Sequence, residues 1–332
     1  MLQARHLRLA TRFVRHRFED LHPYEVQAVL LNACNLKCEY CCCPELKTSL
    51  LTTAQWLAVV ERLGELGTLR LKWQGGEPTL RNDFGELCRA VRRAGIVCAV
   101  VTNGTQIAER PELLDDMDEV VFSLDAVTPE INDAARGAGV HAQVMRAIEH
   151  ARRRPLRLYI NMVVTQRNLH EVDAMLRFCE ERGIGLNAQP VSFGASYYDE
   201  GARAVVPHED EIRNLYRQMA EWKRQNRPLM FAVSTYEKAT LWRDYNTLSR
   251  RSDAVCAMGR FYVHIEPNGN VHPCVQHSAD FQPKNVVYDG LEEALRHVRR
   301  HNCGDCYSAY LNERKALFSL RPQALWEFAR RS

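Results

Sequence analysis

The chain has 332 residues, 46% hydrophobic and 26% charged, the balance of a globular protein with one large domain or two ordinary ones. Its 44 Lys and Arg against 41 Asp and Glu leave a net charge of +3, too small to argue for nucleic-acid binding. No apolar run approaches the ~20 residues of a membrane span, and the N-terminus lacks an apolar signal-peptide core, so the sequence places the protein in the cytoplasm. Twelve cysteines are many for that compartment, where disulfides are rare and clustered thiols point to metal or catalysis.

Residues 1–24 predict a basic helix. Arg5, Arg8, Arg12, Arg15 and Arg17 crowd it, and Leu7, Ala10, Val14 and Phe18 line an apolar side. That is a helix packed on the body with a solvated basic face, or a surface for acidic lipid or a partner, so peripheral membrane contact stays open. From residue 25, β-rich runs alternate with helical patterns. The strands are expected at 25–32, 68–74, 96–102, 119–125, 156–165 and 184–192, with helices at 52–66, 84–94, 141–153 and 169–182. Such alternation implies a parallel sheet with right-handed crossovers, as an open barrel or a doubly wound sheet. Residues 208–225 predict a polar helix, and 226–255 show no clear pattern and are taken as a bridge. A second unit spans 256–332: a hairpin turning at Pro267-Asn268-Gly269, a helix at 291–301, the CGDC segment and a helical tail.

Four polar motifs fall at the C-terminal ends of the first four strands, the edge where parallel α/β folds build active sites. NACNLKCEYC carries Cys34, Cys38 and Cys41; GGEP is Gly75, Gly76, Glu77 and Pro78; TNG contains Asn103; SLD contains Ser123 and Asp125. Three thiolates hold a four-iron cluster by three irons and leave the fourth open. The spacing alone also permits a closed zinc site with Cys42 or Cys43 as fourth ligand. Cys88, Cys98 and Cys179 sit within helix and strand patterns and read as core residues.

C-x3-C-x2-C with Tyr40 before the last cysteine resembles the radical S-adenosylmethionine (radical SAM) superfamily, and GGEP and SLDAVTPEINDAARG fit the same resemblance. The resemblance implies a partial (β/α)6 parallel barrel, here with a small C-terminal α+β iron–sulfur domain, and a core at 25–225. It implies a [4Fe-4S] cluster on Cys34, Cys38 and Cys41, with SAM chelated to the open iron and cleaved to a 5′-deoxyadenosyl radical that removes a substrate hydrogen. Tyr40 is then expected against the adenine, GGEP at the SAM amino group, Asn103, Ser123 and Asp125 at the ribose and methionine parts, and Arg136 at the SAM carboxylate. Asn132 departs from the family's usual histidine. A flavodoxin- or ferredoxin-type reductant is implied as a partner.

Cys256, Cys274, Cys303 and Cys306 resemble the shortened "twitch" form of the SPASM auxiliary domain, which implies one fully ligated auxiliary [4Fe-4S] cluster. A four-cysteine zinc site is the alternative from spacing. His272 and His277 read as incidental strand-end residues. Cys42 and Cys43 read as packing beside the first cluster, or as a hydrogen-atom donor. The four-cysteine spacing looks most like aminocyclitol dehydrogenases, and only about 24 residues precede the first strand, so a small polar substrate undergoing dehydrogenation or epimerisation is expected. A ribosomal-peptide maturase is the alternative, and an iron–sulfur electron carrier or zinc-held module is the non-enzymatic one. Gln74, Gln189, Ser192, Tyr197 and Tyr198 are placed to line the substrate pocket.

Overall fold

The computed structural model describes residues 21–191, 200–243, 245, 249–250, 256, 258–275, 281–301 and 305–318. The expected basic helix at 1–24 lies almost wholly outside the described residues, as do Ser192, Tyr197, Tyr198, His277 and Cys303.

Six parallel strands form the body: β1 Glu25–Val29, β2 Arg70–Gln74, β3 Val97–Thr102, β4 Glu119–Ser123, β5 Arg157–Val164 and β6 Gly185–Pro190. They pair in chain order as an unclosed barrel within a mixed α/β fold, as the alternation predicts. All six predicted strands are present, one to three residues shorter at their ends. The crossover helices are Thr53–Glu65, Phe84–Arg93, Val140–Arg152 and Val172–Arg182. The first is started by a capping box between Thr52 and Gln55 and buries Trp56, Val59, Val60 and Leu63. Among the described residues no helix is long and apolar enough to cross a membrane.

The last quarter shares the barrel sheet. After β7 Ser249–Arg250 come β8 Tyr262–Ile265, β9 Asn270–His272 and β10 Lys284–Asn285, and β11 Asp305–Cys306 pairs with β7 as a small separate ribbon. The hairpin predicted at Pro267-Asn268-Gly269 joins β8 to β9, with Gly269 at φ +89 where other residues are strained. β8 pairs in parallel with β1, so the sheet order is β10-β9-β8-β1-β2-β3-β4-β5-β6. Within the expected bridge, residues 228–230 cap the outer edge of β6, through Leu186 N donating to Pro228 O and Met230 N to Leu186 O. The helix Val233–Thr240 follows.

Strand alternation divides two environments. Val26, Leu71, Trp73, Val100, Phe122, Ile160 and Leu186 face the helices and form the main hydrophobic core, where Trp56 meets Trp73 edge-on. The interleaved positions face the barrel interior, and many are polar.

Near the strand starts this interior holds a charged floor. Glu25 is fully buried, and its carboxylate accepts hydrogen bonds from Arg70, from Tyr310 Oη, and from Arg314 Nε and Nη2 at 3.1 and 3.0 Å. Arg70 also donates to Glu119 on β4. Tyr310 and Arg314 come from the C-terminal helix Ala309–Phe318. Burial alone would raise the Glu25 carboxyl, but Arg314, Arg70 and Lys72 hold it far below the ordinary carboxylate range. Lys72 Nζ lies 2.9 Å from Tyr310 Oη and 3.9 Å from Glu25, and its burial lowers its pKa from 10.5 to about 7.

Glu25→Gln leaves buried arginines short of a counter-charge and is expected to cost roughly 3–5 kcal/mol in denaturant unfolding. A loss under 1 kcal/mol would refute the floor as an anchor. For Lys72 the sign is set by the lowered pKa. Between pH 7 and 10.5 the unfolded chain binds a proton that the folded chain does not, so this group's contribution to stability rises with pH and is lost towards pH 7. The stability of Lys72→Met relative to wild type is therefore expected to be greatest near pH 7 and to shrink by pH 10. An unchanging difference would contradict the lowered pKa.

Candidate active site at the barrel rim

The four motifs meet at the C-terminal rim. The GGEP turn lies directly on the cysteine loop: Gly76 N donates to Leu31 O at 2.8 Å and Glu77 N to Ala33 O at 2.9 Å. A Cβ on Gly76 would stand 2.2 Å from Ala33 O and 2.3 Å from Asn32 O, and one on Gly75 would stand 2.3 Å from Leu31 O. The glycines thus let two backbones touch. Pro78 begins the short turn that follows.

Glu77 is wholly buried and fastens this turn to the end of β3. Its carboxylate accepts from Thr79 N and Oγ1, from Thr102 Oγ1 at 2.8 Å and from Asn103 N at 2.7 Å. Asn103 carries the link back to the thiols, since its Nδ2 donates to Asn35 Oδ1 at 2.9 Å and reaches Cys34 Sγ at 3.8 Å.

On the other side of the loop, Asp125 is fully buried and accepts from Tyr40 Oη at 2.6 Å, from Arg136 and from Val163 N at 2.9 Å. Arg136 also reaches Cys38 Sγ at 4.0 Å. Tyr40, Asp125 and Arg136, expected from the sequence to touch three parts of one ligand, are here bound to one another in a wall beside Cys38. Asn132 is buried and accepts from Asp125 N at 3.0 Å, so the residue that departs from the family pattern fixes the start of the turn after β4. Ser123 is half-buried and pairs across the sheet with Asn161.

Cys34, Cys38 and Cys41 are half-buried and none forms a disulfide. Burial pushes the Cys34 and Cys38 thiols up and Cys41 up to about 12, the direction that a bound metal cation would reverse. Leu36 N at 3.4 Å and Asn103 Nδ2 are aimed at Cys34 Sγ, the kind of outer contact that tunes a ligated sulfur. Among the described residues no three His, Cys, Asp or Glu side chains are arranged to hold a single metal ion. Thiols that each take a different iron need not converge on one point, and three thiols within one short loop are the donor chemistry of a cluster.

Cys43 is buried with its thiol towards Asn32, at 3.7 Å from the backbone oxygen, a packing position. Cys88, Cys98 and Cys179 are core residues, as expected. In the last quarter Cys256, Cys274 and Cys306 gather with Met258, Tyr262 and Leu311. His272 is the last residue of β9, a strand-end position as expected, and is buried opposite His264 and 3.4 Å from Glu266. Gln74 and Gln189 are half-buried at their strand ends. Sequence reasoning missed Asn35, Thr102 and Asn168 as rim fasteners, Asn168 through its Nδ2 donating to Asp125 O at 2.9 Å and Val163 O at 2.8 Å, and it left Asn132 without a role. Their signal is weak, because Asn35 and Asn168 are ordinary polar loop residues, Thr102 merely ends β3, and Asn132 lies within the helix Pro129–Arg136.

Residues 29–179 match the Radical SAM superfamily. The chain carries a radical SAM domain over those residues. It is 29% identical over 281 residues to the PqqA peptide cyclase of Gluconobacter oxydans (strain 621H), covering 82% of this chain and 74% of that protein. Its fold is similar to that of Streptococcus suis SuiB. A structure of SuiB bound to S-adenosylmethionine aligns with TM-score 0.66 and 19% identity over 88% of this chain and 69% of SuiB. One bound to precursor peptide SuiA aligns with TM-score 0.67 and 17% identity over 95% and 77%.

Gly76→Ala is expected to force the GGEP turn off the cysteine loop. The variant should melt at least several degrees lower and take up less than half the wild-type iron on anaerobic reconstitution. Wild-type melting and iron uptake would show that the contact is not required.

Proposed function

We propose that this chain is a peptide-modifying radical SAM enzyme that binds a [4Fe-4S] cluster through Cys34, Cys38 and Cys41. The relationship to PqqA peptide cyclase over most of both chains carries the peptide assignment. It displaces the small polar substrate that cysteine spacing favoured, an expectation that none of these relatives supports. When bound, the cluster supplies the electron that cleaves SAM to a 5′-deoxyadenosyl radical able to take a substrate hydrogen.

The chain's own residues shape and dry the site. Asn103 and Arg136 direct N–H groups at two of the sulfurs. Tyr40 closes one wall with Val163 and Val191, a buried apolar patch beside Cys38 and Cys41 that excludes water from a reactive intermediate. GGEP, Asn103, Ser123, Asp125 and Arg136 are assigned to hold SAM, with Asp125 and Arg136 as a preformed ion pair. Cys256, Cys274, Cys303 and Cys306 are assigned to an auxiliary [4Fe-4S] cluster. The gathering of three of them supports this. A small electron-transfer protein is the assigned reductant.

Anaerobic reconstitution tests the reading. Wild type is expected to hold ~8 iron per chain as two four-iron clusters. Cys34→Ala should fall to about half with SAM cleavage lost at least a thousand-fold, and Cys306→Ala to about half with cleavage retained. SAM cleavage by Cys34→Ala would overturn the cluster assignment. Transfer of deuterium into 5′-deoxyadenosine from a labelled aminocyclitol, with none from labelled peptides, would restore the small-molecule reading.

A further inference from the structure

Level with Ser123, two residues short of the wall made by Tyr40, Asp125 and Val163, the barrel interior holds a pair of amides that were given no role above. Ser123, Asn161 and Asn187 stand in register across β4, β5 and β6, on the strand faces opposite the helix-packed core. Asn187 Nδ2 donates to Asn161 Oδ1 at 2.7 Å. That bond uses one donor and one acceptor. It leaves Asn187 Oδ1 buried with no hydrogen-bond partner, on a residue only 8% exposed. Among the described residues the half-buried Asn161 directs its remaining N–H groups to no protein acceptor. A buried acceptor without a partner costs about 1–3 kcal/mol, a cost expected to be recovered when something binds. Exchanging the oxygen and nitrogen of both amides leaves the same result, one outward donor beside one outward acceptor.

The level of the pair is set by the sheet. Val163, two residues after Asn161, donates to Asp125 at 2.9 Å and packs with Tyr40 beside Cys38 and Cys41. The pair therefore lies about 7 Å below that wall, in the path between the thiol loop and the charged floor. A carboxylate or ester has no N–H for Asn187 Oδ1, and a cation has no acceptor for Asn161. One residue of an extended peptide presents its N–H and C=O on the same side and satisfies both.

We propose that Asn161 and Asn187 form a substrate subsite that reads the backbone N–H and C=O of one extended peptide residue. This rests on the peptide reading above and names the part of the peptide that is recognised.

The reconstituted full chain is assayed with a pool of N-acetylated tripeptide amides and a matched pool whose central N–H is replaced by an ester oxygen. The readout is 5′-deoxyadenosine release above the substrate-free rate. Crystals of the holoenzyme are soaked separately with 2-pyrrolidinone and γ-butyrolactone. Wild type is expected to favour the amide pool roughly ten- to a hundred-fold in kcat/KM. Asn187→Leu should bring that ratio to about one. Asn161→Asp keeps the inner acceptor and removes the outward donor, and should slow both pools alike with the ratio kept. Substrate-free SAM cleavage should not change, and the lactam should seat on the pair where the lactone does not. A wild-type ratio near one, a ratio that survives Asn187→Leu, or a lactam that avoids the pair overturns the subsite. If Asn187→Leu does not fold, the wild-type ratio and the soaks decide. If neither pool is processed yet the lactam seats on the pair, the pair binds an amide edge, but its assignment to a peptide residue falls together with the peptide reading.

Discussion

One buried carboxylate, Glu25, sets the terms for the barrel. A charge removed from water has to be matched by partners of fixed position, or the fold cannot hold it ionised. Its partners come from β2 and from the C-terminal helix, and Arg70 extends the network to Glu119 on β4. The polar interior that a reaction chamber needs is thereby closed below by charge pairing instead of by apolar packing. The strands above it are left with fixed ends on which a rim can be built.

At the rim the same device recurs twice on a smaller scale. Glu77 and Asp125 are both buried, and each collects donors from elements that would otherwise be independent loops. Between them they hold the cysteine loop from two sides, one through Asn103 and one through Arg136. The loop's own sequence supplies the thiols, and its position comes from neighbours. Glycine at 75 and 76 matters for a related reason, since the contact between the turn and the loop is backbone on backbone with no room for a side chain.

The alternation of strands and helices, and the placing of motifs at strand ends, were legible in the sequence because both depend on local periodicity. The mutual pairing of Tyr40, Asp125 and Arg136 was not. Motif matching assigns each residue to a ligand one at a time and cannot see them meet. The floor was hidden for a different reason. Glu25 and Lys72 sit within strand patterns, and the partners Tyr310 and Arg314 lie at the far end of the chain. The joining of β8 to β1 left no sign either, because strand pairing across the chain has no local signature. Cysteine spacing is a poor guide to the substrate, because metal ligands report on a cofactor, whereas choice of substrate is made by the side chains that line the chamber.

The pairing of β8 with β1 has a consequence for how the molecule is made. A ribosome delivers β1 first; the strand that covers its open edge comes much later, and the Arg314 that neutralises Glu25 comes 289 residues later. Until then the nascent chain carries an uncovered central strand and a half-matched charge, and contacts of such long range form slowly. Maturation of the barrel therefore waits on contacts of long range. An interrupted translation product would retain every cysteine of the first motif and still lack the floor on which that motif stands.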